Sequence, residues 1–190
     1  MNVNKQKFYL KKMENKEGSL VEAANLYNLV WNKEDDSFFN RLKRHGSYGG
    51  FQGYMAFEGD SRLAGFAYGY NSLEGQYYRG LIERELSEKE TLTWLEDCFE
   101  LVELAVHPDS RKQGIGRLLE QNLLEKVSNK TAILTTQYDN FAARQLYRSL
   151  GWTAVKESFF PDQMGTAYVI MGKRLAQNRC SSIAGGSEHD

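Results

Sequence analysis

The stretch that most constrains this 190-residue chain runs from Phe99 to Val127, and it reads as strand, glycine-rich turn, helix. Leu101, Val102, Leu104, Ala105 and Val106 form a nearly continuous apolar run, as in a strand covered on both faces. Pro108 ends that run, because proline has no N–H to give to a ladder. Ile115, Leu118, Leu119, Leu123 and Val127 then recur at helical spacing. Between the two lie Gly114 and Gly116, with Arg111, Lys112 and Arg117 alongside. Glycines let backbone approach a ligand closely, and the first amides of a helix are unpaired donors at the positive end of its dipole. Such a turn suits a phosphate or pyrophosphate. An ordinary strand-to-helix turn relaxed by its glycines would use the same residues.

Two familiar phosphate loops are excluded. A Walker loop needs Gly-Lys-Ser/Thr, whereas Gly116 is followed by Arg117 and Leu118. A dinucleotide fingerprint needs a third glycine near position 119, which is leucine. What remains is Arg111-x-x-Gly114-x-Gly116. A second motif follows one helix and one strand later: Asn140-x-x-Ala143-x-x-x-Tyr147-x-x-Leu150-Gly151-Trp152.

The first motif resembles the acyl-CoA loop of the GNAT family of N-acetyltransferases, Arg/Gln-x-x-Gly-x-Gly/Ala. The second resembles that family's Asn-x-x-Ala-x-x-x-Tyr-x-x-x-Gly-Phe, with Trp152 in place of phenylalanine. Each is moderately specific alone; both in this order are strong, and they cover residues 100–152. The resemblance implies an α/β (α+β) fold, with a mixed, mostly antiparallel central sheet flanked by helices and splayed at its central strands. It implies an N-acetyltransferase that moves an acetyl group from acetyl-CoA directly to a primary amine. The alternative from another class is a non-catalytic module that binds or senses acyl-CoA. A nucleotide-binding α/β protein is a third reading, weakened by the missing loops.

The resemblance also assigns roles. Amides of Gln113, Gly114, Ile115 and Gly116 would hold the donor, with Arg111, Lys112 and Arg117 as side-chain support, although Lys112 and Arg117 read equally well as solvated charges. Backbone of Leu104, Ala105 and Val106 would pair with the pantetheine arm and polarise the thioester carbonyl. Asn140 would contact the cofactor arm, while its N-cap duty alone explains it. Tyr147 resembles the family's general acid. A phenol of pKa about 10 is protonated at neutral pH and needs no tuning for that task; packing against Leu146 and Leu150 is the plainer reading.

The base is one of two carboxylates. An amine of pKa about 10 arrives protonated and must lose a proton directly or through water. Glu100 aligns with a glutamate used by several family members, and Glu103 lies nearer the expected acetyl group. Strand alternation puts them on opposite faces unless a bulge intervenes. Glu103 is preferred narrowly, because Val102, Leu104 and Ala105 would desolvate it and raise its pKa. Thr135 and Thr136 are candidates to order a water.

The rest of the chain fits this frame. A strand at 8–13, a helix at 20–31 capped by Ser19, and a short helix at 36–44 precede a hairpin at 52–58 and 63–70. Glycines at 65 and 69 point to bulges or close packing. Residues 71–97 read as an insertion near the acceptor site, loop-like at 75–80 and helical at 81–95, with Tyr77, Tyr78 and Trp94 lining a pocket or covering the hairpin. A strand at 131–136, a helix at 141–150 and strands at 152–157 and 167–171 close the unit. One domain over 1–176 and a disordered tail over 177–190 are expected.

Size and charge agree. Hydrophobic residues at 41%, charged residues at 26% and a formal charge of −1 describe a globular protein with no basic excess for nucleic acid. No apolar run reaches membrane-spanning length and no signal-peptide core is visible, so a cytoplasmic protein with no membrane partner is expected. Cys98 and Cys180 make no disulfide framework, and nothing recommends a catalytic pair of Cys98 with His107. His45, His107 and His189 lack ligand spacing, so no metal is expected. Glu34, Asp35 and Asp36 are placed to attract a cationic amine or are solvated helix-start carboxylates. A small-molecule amine is favoured over a protein acceptor, and similar proteins commonly form homodimers through their C-terminal strands.

Overall fold

The computed structural model describes residues 8–59, 62–161 and 165–176; the expected tail at 177–190, with Cys180 and His189, lies outside them. Among the described residues the elements are β1 (Phe8–Lys12), α1 (Glu17–Trp31), α2 (Ser37–His45), β2 (Gln52–Glu58), β3 (Arg62–Asn71), α3 (Tyr77–Glu85) and α4 (Glu88–Leu95). There follow β4 (Cys98–Val106), α5 (Ile115–Glu125), β5 (Thr131–Gln137), α6 (Phe141–Ser149), β6 (Thr153–Phe159) and β7 (Tyr168–Arg174). The strands form one seven-stranded sheet in the order β1-β2-β3-β4-β5-β7-β6. Every pairing is antiparallel except the parallel contact of β4 with β5. This is the mixed, mostly antiparallel sheet the motifs imply.

Local chemistry sets most boundaries. Asn140 caps α6 by accepting from the Ala143 N–H at 3.1 Å, and Gly151 leaves the helix at φ +87. Asp35 accepts from the Ser37 N–H at 2.8 Å and so fixes the start of α2. Two expectations change. Helix α1 begins at Glu17, so Ser19 lies inside its first turn and caps nothing. Residues 71–97 hold two helices: Tyr77 to Glu85 is helical through Gly80, and a capping box of Ser87 with Glu90 starts a second one. The Ser-x-x-Glu pattern was legible in the sequence as a helix start.

The two sheet faces carry different layers. On one face, Phe99, Leu101, Ala132, Leu134, Val169 and Met171 pack with Ile115, Leu119 and Leu123 of α5 and with Tyr147 and Leu150 near α6. On the other, Phe66, Tyr68 and Ala105 pack with Leu20, Ala23, Phe38 and Leu42 of α1 and α2. Further along that same face, Ile133 and Ile170 pack with Ile82 and Leu95 of α3 and α4. Helices α1 to α3 and helices α5 and α6 therefore stand on opposite sides of the sheet.

Strand β4 bulges against β3. Tyr68 pairs with Glu103 and Gly69 with Leu101, which leaves Val102 as the extra residue. Gly69 is what admits the bulge, because a Cβ there would overlap the carbonyl oxygen of Glu100 and the ring of Phe99. The obstacle is backbone and cannot swing aside. Gly69→Ala is therefore expected to lower stability by roughly 1–3 kcal/mol, read as a fall in the urea midpoint at unchanged m-value. An unaltered midpoint would show that β4 does not depend on this contact.

Candidate active site

The site begins where two central strands part. Only Cys98, Phe99 and Glu100 of β4 pair with β5, opposite Thr131, Ala132 and Ile133. Beyond Glu100 the β5-facing edge of β4 has no strand partner, so its backbone groups stay available for a ligand. A cavity of about 770 Å³ opens at this divergence. Its lining includes Glu100 through Leu104 of β4, Thr135, Thr136 and Gln137 of β5, and Asn140, Ala143 and Tyr147 from α6.

Both candidate carboxylates reach this cavity, which corrects the expectation from strand alternation. Tyr68 and Tyr70 of β3 share a face, and their partners across the ladder are Glu103 and Glu100. The extra residue Val102 shifts the parity between the two glutamates and turns both the same way. Burial raises Glu100 to about 7, opposed by the charge of Arg79. Burial likewise raises Glu103 to about 7, opposed by Arg41 and by hydrogen bonding from Trp31. Desolvation therefore does not separate them. Their partners do: Glu103 Oε2 lies 3.5 Å from Nη2 of Arg41, whereas Glu100 Oε2 is buried with no hydrogen-bond partner.

Tyr147 reaches the cavity from the opposite side of the sheet. Its buried ring stands edge-on to Trp152, with centroids 5.9 Å apart. Burial, with the charges of Glu103 and Glu120, raises its pKa above that of a free phenol, so it stays protonated. The indole of Trp152 is itself anchored: Nε1–H donates to Glu120 Oε1 at 2.7 Å, and Lys173 Nζ donates to the same oxygen at 2.7 Å. That anchor gives the tryptophan at this motif position a reason, since phenylalanine has no donor to offer the fully buried Glu120.

The glycine turn divides its duties. Gly114 takes φ +84 as the N-cap of α5, a conformation that favours glycine. Gly116 provides room instead, because a Cβ there would come within 2.9 Å of Leu146 on α6. The first bond of α5 runs from the Leu118 N–H to the Gly114 carbonyl, so the amides of Ile115, Gly116 and Arg117 have no acceptor within the helix. A hollow of about 290 Å³ borders Gln113, Gly114, Ile115 and Arg117. Arg111 Nε donates to the Val106 carbonyl at 3.4 Å, Lys112 is exposed at φ +59, and Gln113 donates to the Asp109 carbonyl at 3.2 Å. Arg117 donates to Ser149 Oγ at 2.9 Å and so ties α5 to α6. Leu104 and Val106 turn their side chains toward Gly116, while Ala105 packs on the α1 and α2 side.

The remaining wall of the cavity comes from the face of α1, α2 and α3. Tyr27, Trp31, Lys33, Arg41, Arg44 and His45 line it, with Tyr48, Tyr70, Tyr77 and Tyr78. Burial, then the charges of Arg41 and Arg44, lowers His45 to about 4, so it is neutral at ordinary pH; its Nδ1 lies 3.1 Å from the Tyr68 hydroxyl. Tyr78 shares a hydrogen bond with Thr135 Oγ1 at 2.8 Å, bridging α3 to β5. Several expectations change here. Trp94 packs against Gly172 and Arg174, away from the cavity. Glu34, Asp35 and Asp36 are exposed and do not line it. Cys98 and His107, a pair that nothing in the sequence recommended, sit at opposite ends of β4, and burial pushes the thiol up to about 12, which is wrong for a nucleophile. The residues of α2 were missed, although their signal is present: Arg41 and Arg44 flank the buried stripe of Phe38, Leu42 and His45. Among the described residues no group of His, Cys, Asp and Glu is arranged to hold a metal ion, and no helix is long and apolar enough to cross a membrane.

A sheet splayed between two parallel strands, with a glycine turn opening the next helix, frames a cavity that Tyr147, Glu100 and Glu103 all line. The sequence profile of the Acetyltransferase (GNAT) family matches residues 19–152, and the chain belongs to that family. It is 33% identical over 76 residues to the [ribosomal protein bS18]-alanine N-acetyltransferase of Escherichia coli strain K12, a match covering 37% of this chain and 51% of that protein. The chain spans about half the length of the curated relatives it matches. The crystal structure of the ribosomal-protein-S18-alanine N-acetyltransferase from Escherichia coli superposes with a TM-score of 0.63 at 19% identity, covering 96% of this chain and 100% of that one. A chain of the NatC complex, solved with Gag peptide and CoA, superposes at 0.64 with 16% identity, covering 90% and 99%.

Two desolvated carboxylates, Glu100 buried and Glu103 partly buried, make stability depend on pH with a defined sign. A folded pKa of about 7 lies above the unfolded value, so the folded state binds more protons between roughly pH 4.5 and 7 and loses stability as pH rises through that window. Glu100→Gln removes one of the two losses. The variant should gain on wild type by roughly 3 kcal/mol between pH 5 and pH 8, measured by denaturant unfolding. A difference that is the same at both pH values would contradict the raised pKa.

Proposed function

We propose that this protein is an acetyl-CoA-dependent N-acetyltransferase whose acceptor is a primary amine. The observation that carries the reading is the meeting of Tyr147 with Glu100 and Glu103 across the unpaired edge of β4. Residues 1–176 would act as one domain, with 71–97 an insertion whose helix α3 forms part of the acceptor wall.

The residues fit the donor. Unpaired amides at Ile115, Gly116 and Arg117, behind the left-handed Gly114, would take its pyrophosphate. Gln113, Arg111 and Lys112 would flank it, and Asn140 would meet the arm. Backbone of Leu104, Ala105 and Val106, along the free edge of β4, would pair with the pantetheine and polarise the carbonyl. When bound, acetyl-CoA supplies a thioester whose C–S bond is exchanged for a C–N bond to the amine.

The chain's own groups manage the protons. Glu100 takes one from the acceptor ammonium, freeing the nitrogen lone pair for attack. Its unpartnered Oε2 is free to receive the proton, whereas Glu103 Oε2 already faces Arg41 at 3.5 Å, so Glu100 is the preferred base. Tyr147 gives a proton to the departing thiolate and regains one from the nitrogen through solvent. Of the two protons the ammonium loses, one therefore ends on sulfur and one leaves through Glu100. Relatives named as alanine N-acetyltransferases support an amine acceptor.

Release of free thiol from acetyl-CoA with a panel of amines tests the reading; binding with no release by any amine would make the chain a CoA-binding module. Tyr147→Phe should lower kcat by about a hundredfold or more while calorimetry still detects acetyl-CoA binding. For wild type, kcat should rise with pH through a group of about 7, and Glu100→Gln should abolish that limb. If Glu103→Gln abolishes it and Glu100→Gln does not, the base is Glu103.

A further inference from the structure

The acceptor wall has an unexpected charge. The ionisable side chains lining the cavity are Lys33, Arg41, Arg44, His45, Glu100 and Glu103, besides the tyrosines. His45 is neutral at ordinary pH, and the two glutamates are only part-ionised near pH 7. Arg41 is engaged by Glu103 and lies over the rings of Tyr27 and Phe38. Among the described residues, Lys33 and Arg44 have no acidic partner within ion-pair distance. Arg44 is exposed and lines the cavity at its rim.

These cations do not serve the donor. They come from the end of α1 and from α2, on one side of the sheet, whereas the glycine turn and α5 stand on the other. A phosphate held at the start of α5 is therefore separated from Arg44 by the sheet itself. An acceptor that carries only positive charge would meet a wall whose free charges are also positive. An acceptor with an anionic group of its own would find two unpaired cations at the rim, aromatic faces along the wall and Glu100 at the floor.

We propose that the acceptor is an amine that also carries a carboxylate or a phosphate, with Arg44, helped by Lys33, holding the anion while the nitrogen turns toward Glu100. This rests on the acetyltransferase reading above and adds the acceptor's chemical class to it. A guanidinium suits the task, since it presents forked donors to either anion and stays charged at every working pH.

Matched acceptor pairs test it: phenylalanine against phenethylamine, 4-aminobutyrate against butylamine, and 2-aminoethyl phosphate against ethanolamine, each read by thiol release. The member bearing the carboxylate or phosphate in at least one pair should have a kcat/KM about tenfold or more above the partner that lacks it. In Arg44→Gln that preference should collapse through KM, and Arg44→Lys should restore part of it. The carboxylate and phosphate pairs tell the two anions apart. Turnover only of the members without an anionic group or of peptides, or a preference that survives Arg44→Gln together with Lys33→Gln, overturns this inference and leaves the acetyltransferase reading standing. Absence of release with every amine and peptide removes both.

Discussion

The extra residue at Val102 is the constraint on which the site depends. Because β3 runs regularly through Tyr68, Gly69 and Tyr70, its partners on β4 must follow its alternation, and only an inserted residue lets Glu103 and Glu100 face the same way. The same stretch is where β4 leaves β5, since the parallel ladder stops at Glu100. One irregularity thus supplies two things a transfer site needs: a free backbone edge, and two carboxylates beside it. Gly69 on the neighbouring strand is the local condition, because only a residue without a side chain admits the displaced Glu100 carbonyl.

Such a site stores unfavourable electrostatics, and the surrounding frame has to hold it. Glu100 Oε2 and Arg41 Nε are both buried without hydrogen bonds, and each unmade bond costs free energy relative to water. The rigid contacts lie around the cavity. Arg79 donates at 2.7 Å to the carbonyls of Ser72 and of Leu95, pinning α3 between the end of β3 and the end of α4. On the opposite side, Lys173 of β7, Glu120 of α5 and Trp152 after α6 are joined through one carboxylate oxygen. Tyr147 rests against that tryptophan, so its hydroxyl is positioned by a chain of contacts reaching three elements. Removing one partner of a buried charged group costs more than the pair contributes, which is why these anchors sit outside the reacting space.

How much of this was readable from the residues follows from what makes each half. The donor half is largely backbone: a strand edge, a glycine N-cap and the first amides of α5. Backbone sites leave compositional marks within a short stretch, and Arg111 to Gly116 and Asn140 to Trp152 carry them. Face and partner were not readable. The odd spacing of Glu100 and Glu103 argues for opposite faces, and nothing in Leu101-Val102 announces a bulge. Arg117 has the sequence of a ligand arm and the structure of a bolt to Ser149. The acceptor half is assembled from side chains of α1, α2 and α3 that lie far apart in the chain, from Tyr27 to Tyr78, so local pattern does not reveal their meeting. Acidic residues 34–36 drew attention as a run, yet it is the basic flank of α2 that faces inward.

The two-sided layout carries its own argument about specificity. In the proposed reading the donor is held by amides and a helix start, which depend little on side chains, whereas the acceptor meets side chains on the other face. On that other face the cavity is bounded by α1, α2 and α3, and the sheet prevents their charges from trading roles with the pyrophosphate site. In the proposed reading the two reactants meet where β4 and β5 part, with Glu100 and Tyr147 lining the cavity there. On the proposed reading Lys33 and Arg44 bear on the acceptor alone, whereas Arg41, 3.5 Å from Glu103, ties that wall to the bulged strand on which both halves of the site rest.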